Sequence, residues 1–169
     1  MASRPDIREV VDAFLDKGKT LAGIGGWRRD SHQRSFRWVR PIEIDGELLG
    51  FDLTVKAYPR IQPLKFRIVL SYTKAIWRLD FANDAPHINS IDRPAALDLG
   101  PITGPHYHRW EDNRRFGTAN SLPSSLHNAR RLPETFRSFE SAFRWFCGET
   151  RISVGSLDMP ILPRPDTLL

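Results

Sequence analysis

Between Phe36 and Phe81 apolar and polar residues alternate in short runs broken by turn formers, a rhythm that commits this part of the chain to β-structure with one apolar face. The runs are Phe36–Ile44, Leu48–Ala57, Phe66–Tyr72 and Ala75–Phe81, with Phe51, Leu53, Val55 and Phe66, Ile68, Leu70 each falling on one side. Asp45-Gly46 between the first two is a tight-hairpin signal, because both central positions of such a turn need a positive φ that these residues tolerate. The pattern predicts a four-stranded antiparallel meander, with a further strand near Trp27. A sheet with one apolar face must be covered. Ile7, Val10, Val11, Phe14 and Leu15, at helical spacing, predict a covering helix over about residues 4–17, with Ser3 as N-cap and Gly18 at its C-terminal end. A last helix is expected from Pro133 or Glu134 to Cys147, with Phe136, Phe139, Phe143 and Phe146 on one stripe.

Residues 83–133 carry many turn formers and little periodicity, so they read as one long loop, and long ordered loops tend to carry function. The expected organisation is therefore a single α+β domain over residues 1–152, in which an N-terminal helix packs on the meander and a long active-site loop leads to a C-terminal helix. A proline-rich tail follows over residues 153–169. No apolar run approaches the roughly 20 residues of a membrane span, and acidic and basic side chains as early as Asp6, Arg8 and Glu9 interrupt any signal-peptide core, which predicts a cytoplasmic protein with no membrane partner. The lone cysteine, Cys147, excludes an internal disulfide and a Cys-x-x-Cys zinc site. On its aromatic stripe it reads as inert packing. Net charge is +5, but the 25 basic residues are dispersed and no basic run exceeds two residues, which argues against a nucleic-acid partner.

Chemistry concentrates in Pro86-His87-Ile88-Asn89-Ser90, Ala96-Leu97-Asp98-Leu99 and His106-Tyr107-His108-Arg109-Trp110. The order of these residues, after Tyr58-Pro59 and Pro63, resembles the active-site region of ubiquitin-conjugating (UBC-like) enzymes. There a His-Pro-Asn triplet precedes a cysteine followed by Leu-Asp. Here isoleucine replaces the triplet's proline, and Ala96, nine positions after His87, stands where the family has its nucleophile. The histidine pair at 106 and 108 has no counterpart in the eukaryotic enzymes, so the resemblance is to the divergent proteins of bacterial conjugation operons, of the kind associated with antiphage defence. It implies a ubiquitin-like protein carried as a thioester and transferred to an amine, with a ubiquitin-activating-like enzyme and a target protein as partners and no cofactor or metal on this chain. By the same resemblance Asn89 supports the oxyanion or braces the loop, His87 holds the loop, Asp98 or Asp112 handles the incoming amine, and His106, His108, Trp110 and Asp112 line the groove. With alanine at 96 such a protein is a Cys-to-Ala inactivated form.

The residues also admit other chemistries. His106 and His108 are two apart, so on an extended strand their rings share a side; with His87, and Glu111 or Asp112 nearby, they would form a metal site open to water, or the acid and base of a phosphodiesterase-like site. That predicts a His-rich metal-dependent hydrolase or nuclease. A non-catalytic interaction module is the third possibility, with the histidines packing at a strand edge. His32 and His127 sit among polar neighbours and are expected at the surface. Gly23-Ile24-Gly25-Gly26 does not follow a recognisable strand and is not read as a phosphate cradle.

Overall fold

The structure, a computed structural model, describes residues 5–30, 34–61, 64–82, 85–133 and 135–164. Ser3, His32, Pro63, Asn83 and Glu134, to which the sequence assigns a cap, a surface ring and element boundaries, lie outside the described residues. The chain runs through α1 (Ile7–Asp16), two short strands β1 (Thr20–Leu21) and β2 (Trp27–Arg29), and four long strands β3 (Phe36–Ile44), β4 (Glu47–Tyr58), β5 (Lys65–Ser71) and β6 (Ala75–Phe81). It continues through β7 (His106–His108), α2 (Trp110–Asn113), β8 (Arg130–Arg131) and α3 (Phe139–Glu149).

The four alternating runs form the expected meander, and Asp45 and Gly46 both take positive φ, 53° and 81°, at the β3–β4 hairpin. The architecture expected around that meander is not the one the chain adopts. In place of a UBC-like four-stranded sheet with a long loop, there is one antiparallel sheet of eight strands, with helices that are short. β1 and β2 both pair with β3 at one edge, while β7 pairs with β6 and β8 with β7 at the other. The physical reason is that an edge strand exposes a ladder of N–H and C=O groups that neighbouring chain readily fills. Strands of two or three residues are too short to show a period in the sequence, so the segment read as a loop hides two of them.

One face of the sheet carries the core. Trp38, Leu53, Val55, Ile68, Leu70 and Leu79 point from the strands toward Val11 and Phe14 of α1 and Phe139, Phe143 and Phe146 of α3. Ring contacts lock the layers: Phe14 stacks on Phe51 with centroids 3.5 Å apart, and Trp77 meets Phe146 edge-on at 5.2 Å. α1 is capped by Asp6, whose carboxylate accepts from the Arg8 backbone N–H at 2.8 Å. At its other end the buried Lys19 ammonium, not Gly18, donates to the carbonyls of Phe14 and Leu15 at 2.9 and 3.2 Å. Burial pushes the Lys19 ammonium down to about 8. α3 begins later than expected, at Phe139, because Ser138 and Ser141 form a capping box there, and it runs on through Gly148 to Glu149. The described part of the tail packs back: Met159 and Leu162 lie against the core, Asp158 pairs with Arg40 at 2.6 Å, and the Trp27 indole donates to the Ile161 carbonyl at 2.7 Å.

Within the 23–26 segment, Gly25 has a packing reason. A Cβ on Gly25 would overlap the Trp38 indole, itself wedged against Phe143. Gly25→Ala is therefore expected to cost about 1–3 kcal/mol of stability through overpacking, read as a lower urea midpoint, whereas Gly26→Ala, facing open space, leaves the midpoint nearly unchanged.

Candidate metal centre

β7 docks antiparallel on β6 with Asp80 opposite His106 and Arg78 opposite His108. The i, i+2 spacing places both imidazoles on the face of the sheet away from the core, while Tyr107 between them turns inward and stacks on Trp77. His87 arrives from the segment after β6. A two-bond bridge between His87 and Ile102, with N···O distances of 2.9 and 2.8 Å, holds its backbone beside the β6–β7 edge. The three rings form a triangle with centroids 4.9–5.3 Å apart, and one ligand nitrogen from each lies within 4.8 Å of the others.

Each ring is tied at its other nitrogen to a backbone carbonyl. His87 Nε2 donates to the His127 carbonyl at 2.9 Å, His106 Nδ1 to Gly104 at 2.9 Å, and His108 Nδ1 to Asn128 at 3.0 Å. A carbonyl only accepts, so these bonds assign the protons to the outer nitrogens and leave His87 Nδ1, His106 Nε2 and His108 Nε2 with lone pairs directed inward. That outward N–H to carbonyl arrangement is the support metal-ligating imidazoles normally have. Burial pushes the His108 imidazole down to about 4 and, with the nearby His106, also lowers that of His87, so both are neutral near pH 7.

Asp80 faces the triangle from β6. Its Oδ2 is 3.4 Å from His108 Nε2 and 3.7 Å from His106 Nε2 and accepts from Arg78 Nε at 2.6 Å, while its Oδ1 accepts from Arg67 Nε. Burial alone would raise this carboxyl; the Arg78 and Arg67 guanidiniums outweigh it and hold Asp80 well below the ordinary carboxylate range. Arg78 also donates through Nη2 to His108 Nε2 at 2.8 Å, which requires that nitrogen to be unprotonated. A cleft of about 250 Å³ opens beside the cluster, lined by His87, His106, Asp80, Arg67, Arg78 and Tyr58 among others.

The loops behind the rings are knitted by three buried asparagines. The Asn89 amide donates to the carbonyls of Asp98 and Ala129, both at 3.1 Å, and accepts from the Ala129 N–H at 2.7 Å, so both its hydrogens are engaged in bracing. Asn128 accepts from the Ser90 N–H and donates to the Asp112 carbonyl, and Asn113 bonds both backbone groups of Asn128.

The other residues singled out in the sequence lie elsewhere. Ala96 is exposed on a turn and does not line this cleft. Asp98 is exposed, its carboxylate 3.5 Å from Arg131. Trp110 does not wall the cleft: it is buried in the core, its indole donating to Asp12 of α1 at 2.7 Å, because a helical turn after β7 carries it to the core side. Asp112 is likewise buried, held by the Arg130 guanidinium through bonds of 2.7 and 2.8 Å. His127 is exposed, as its polar neighbours predict. Cys147 is buried in α3, and burial pushes its thiol up to about 12, far from a reactive thiolate. Asp80, Arg78 and Arg67 carry little signal in the sequence beyond the alternation of Arg78 and Asp80 with Leu79 in β6, which puts both on the face opposite Leu79.

Against protein-family models, curated proteins and solved structures, the chain has no match in any of the three comparisons. Among the described residues no helix is long and apolar enough to cross a membrane.

Proposed function

We propose that this chain is a metal-dependent hydrolase whose ion is held by His87, His106 and His108. The observation that carries the reading is the convergence of three inward lone pairs, each fixed by an outward bond to a backbone carbonyl. Three imidazole nitrogens suit zinc, which takes three protein ligands in catalytic sites and keeps the fourth position for water. Such an ion supplies a hydroxide at neutral pH by lowering the pKa of that water. Asp80, ionised beside two of the ligand nitrogens, would orient that water by accepting a hydrogen bond from it, and Arg67 and Arg78 in the cleft would receive an anionic group of the substrate. Thioester transfer rests on the order of residues around His87, Asn89 and Ala96 alone, and the imidazole cluster offers the stronger support.

A specific contact favours a second reading without metal. Arg78 fills the lone pair of His108 that an ion would need, leaving His87 and His106 as acid and base beside two guanidiniums. Metal uptake separates the two. After dialysis against EDTA and then zinc, elemental analysis is expected to find one ion per chain, and His106→Ala and His108→Ala are each expected to weaken binding by more than the 10–100-fold typical of losing an outer-shell contact. Hydrolysis of bis(p-nitrophenyl) phosphate should follow the ion and stop with EDTA. A wild-type protein that retains no zinc or manganese and gains no thermal stability from either overturns the metal reading. EDTA-resistant hydrolysis lost in His87→Ala then supports the acid–base alternative.

A further inference from the structure

The basic residues dispersed along the sequence are gathered by the register of the sheet. Arg28 lies opposite Arg37, Arg37 opposite Lys56, Lys56 opposite Arg67, Arg67 opposite Asp80, and Asp80 opposite His106. Residues directly opposite one another in neighbouring strands share a face, so these six form one row across β2 to β7 on the face that, among the described residues, carries no helix. At about 4.8 Å per strand the row is roughly 24 Å long, with four consecutive cations leading to the histidine cleft.

Arg28 and Arg37 are exposed and meet no acidic group among the described residues, and they line a second cleft of about 560 Å³ at the far end of the row. Lys56 pairs with Asp30 at 3.3 Å, and Asp80 is already bracketed by Arg67 and Arg78. Asp52 on β4 and Glu43 on β3, toward the other end of their strands, are further acids of this face. Beside the row stands the Tyr58 ring, with the Lys56 and Lys65 ammonium groups 5.6 and 5.1 Å from its centroid. A flat cationic track with an aromatic ring on it matches a polyanion whose bases are free to stack.

We propose that a single-stranded nucleic acid binds across this open face, its backbone following Arg28, Arg37, Lys56 and Arg67 into the histidine cleft. The proposal deepens the hydrolase reading, because the track ends in the same cleft and names its substrate class. Charge complementarity selects the occupant: the row is a line of point cations at strand spacing, suited to successive phosphates.

The test uses fluorescein-labelled 12-nucleotide oligouridylate and oligothymidylate, the corresponding adenine–thymine duplex, and vesicles containing phosphatidylserine, with the EDTA-treated full chain. Binding of a single strand is expected with a log–log salt slope of about −3, from roughly 0.7 per cation for four cations. Arg28→Glu combined with Arg37→Glu should weaken it at least tenfold and bring the slope near about −1, while Arg28→Gln with Arg37→Gln gives an intermediate loss. Both pairs are exposed, and matching circular dichroism and melting temperature confirm folding. Tyr58→Ala should weaken binding about fivefold or more, as loss of a stacked base predicts. Failure of both single strands to bind at low salt, a preference for duplex or for vesicles, or indifference to the charge reversal overturns the proposal. Because the measurement is made on metal-free protein, its outcome is independent of metal uptake: zinc bound without nucleic acid leaves the metal centre standing and removes the substrate, and the reverse result does the opposite.

Discussion

Asn128→Ala is expected to destabilise the protein by about 3 kcal/mol and to loosen the metal centre, although residue 128 offers no ligand atom. Its side chain makes two bonds, accepting from the Ser90 N–H at 3.1 Å and donating to the Asp112 carbonyl at 2.9 Å, in a wholly buried position. Alanine leaves both groups without their bond, and each buried polar group so stranded costs about 1–3 kcal/mol. The functional consequence follows from what those bonds hold. Ser90 sits three residues after His87, and the Asn128 carbonyl is the acceptor that fixes the His108 tautomer. Without those two bonds the segment carrying residues 127 and 128 keeps its backbone bonds to Asn113 but loses its tie to the Ser90 and Asp112 backbone, which displaces the acceptors of two of the three rings. Zinc affinity should then fall about 10–100-fold, the usual effect of losing outer-shell support. Urea denaturation and competition with a chromogenic chelator read the two effects separately. A loss below about 1 kcal/mol with unchanged zinc affinity would show that the asparagine is dispensable to both.

That residue also marks where sequence reading stops. β3 to β6 were legible because alternation sustained over seven or more residues distinguishes a strand from anything else, and Asp45-Gly46 named its own turn. The shared side of His106 and His108 was legible for the same reason, since two positions apart on a strand is a local relation. That His87 would join them rested on nothing periodic; its place comes from a bridge to Ile102 and a bond to His127, fifteen and forty positions away. Asp80 and Arg67 are invisible as a pair until β5 and β6 are set in register, and the cationic row exists only as a product of five successive pairings. The expected four-stranded UBC-like architecture differs from the observed sheet for the same reason: the order of residues over roughly positions 50–100 carries no signal for the short strands that close the sheet beside them. Asn89, expected near an oxyanion or as a brace, spends its whole amide on backbone, which is what a buried amide next to a two-residue bridge must do to satisfy the surrounding groups.

Lowering the pH of the metal-free protein from 7.5 to 4.5 is expected to remove on the order of 3 kcal/mol of stability, most of it through His108. Burial pushes this imidazole from its usual 6.5 down to about 4, so between those values the unfolded chain binds a proton that the folded chain refuses. Stability therefore rises with pH in that window: it is complete above about 6.5, and it declines toward a floor near 4 at no more than about 1.4 kcal/mol per pH unit for one group. His87, also lowered by burial and by His106, acts with the same sign. Asp80 belongs to a different window. Its carboxyl is depressed in the folded state, so its contribution is intact above the unfolded value of about 3.9 and is lost only as the pH falls below that. Urea midpoints at half-unit steps separate the two, a first decline below pH 6.5 and a second below pH 4. Zinc should shift the upper decline to lower pH, because an ion on the ring nitrogens stabilises the folded state by mass action and competes with the protons that would take their lone pairs. His108→Asn keeps a side-chain donor for the Asn128 carbonyl but cannot titrate, and its stability, lower at pH 7.5, should be nearly flat down to about pH 5 apart from the smaller slope of His87. A wild-type curve equally flat between pH 7.5 and 4.5 would mean that the folded protein accommodates a proton on His108, and with it that the inward nitrogen is not reserved as a lone pair.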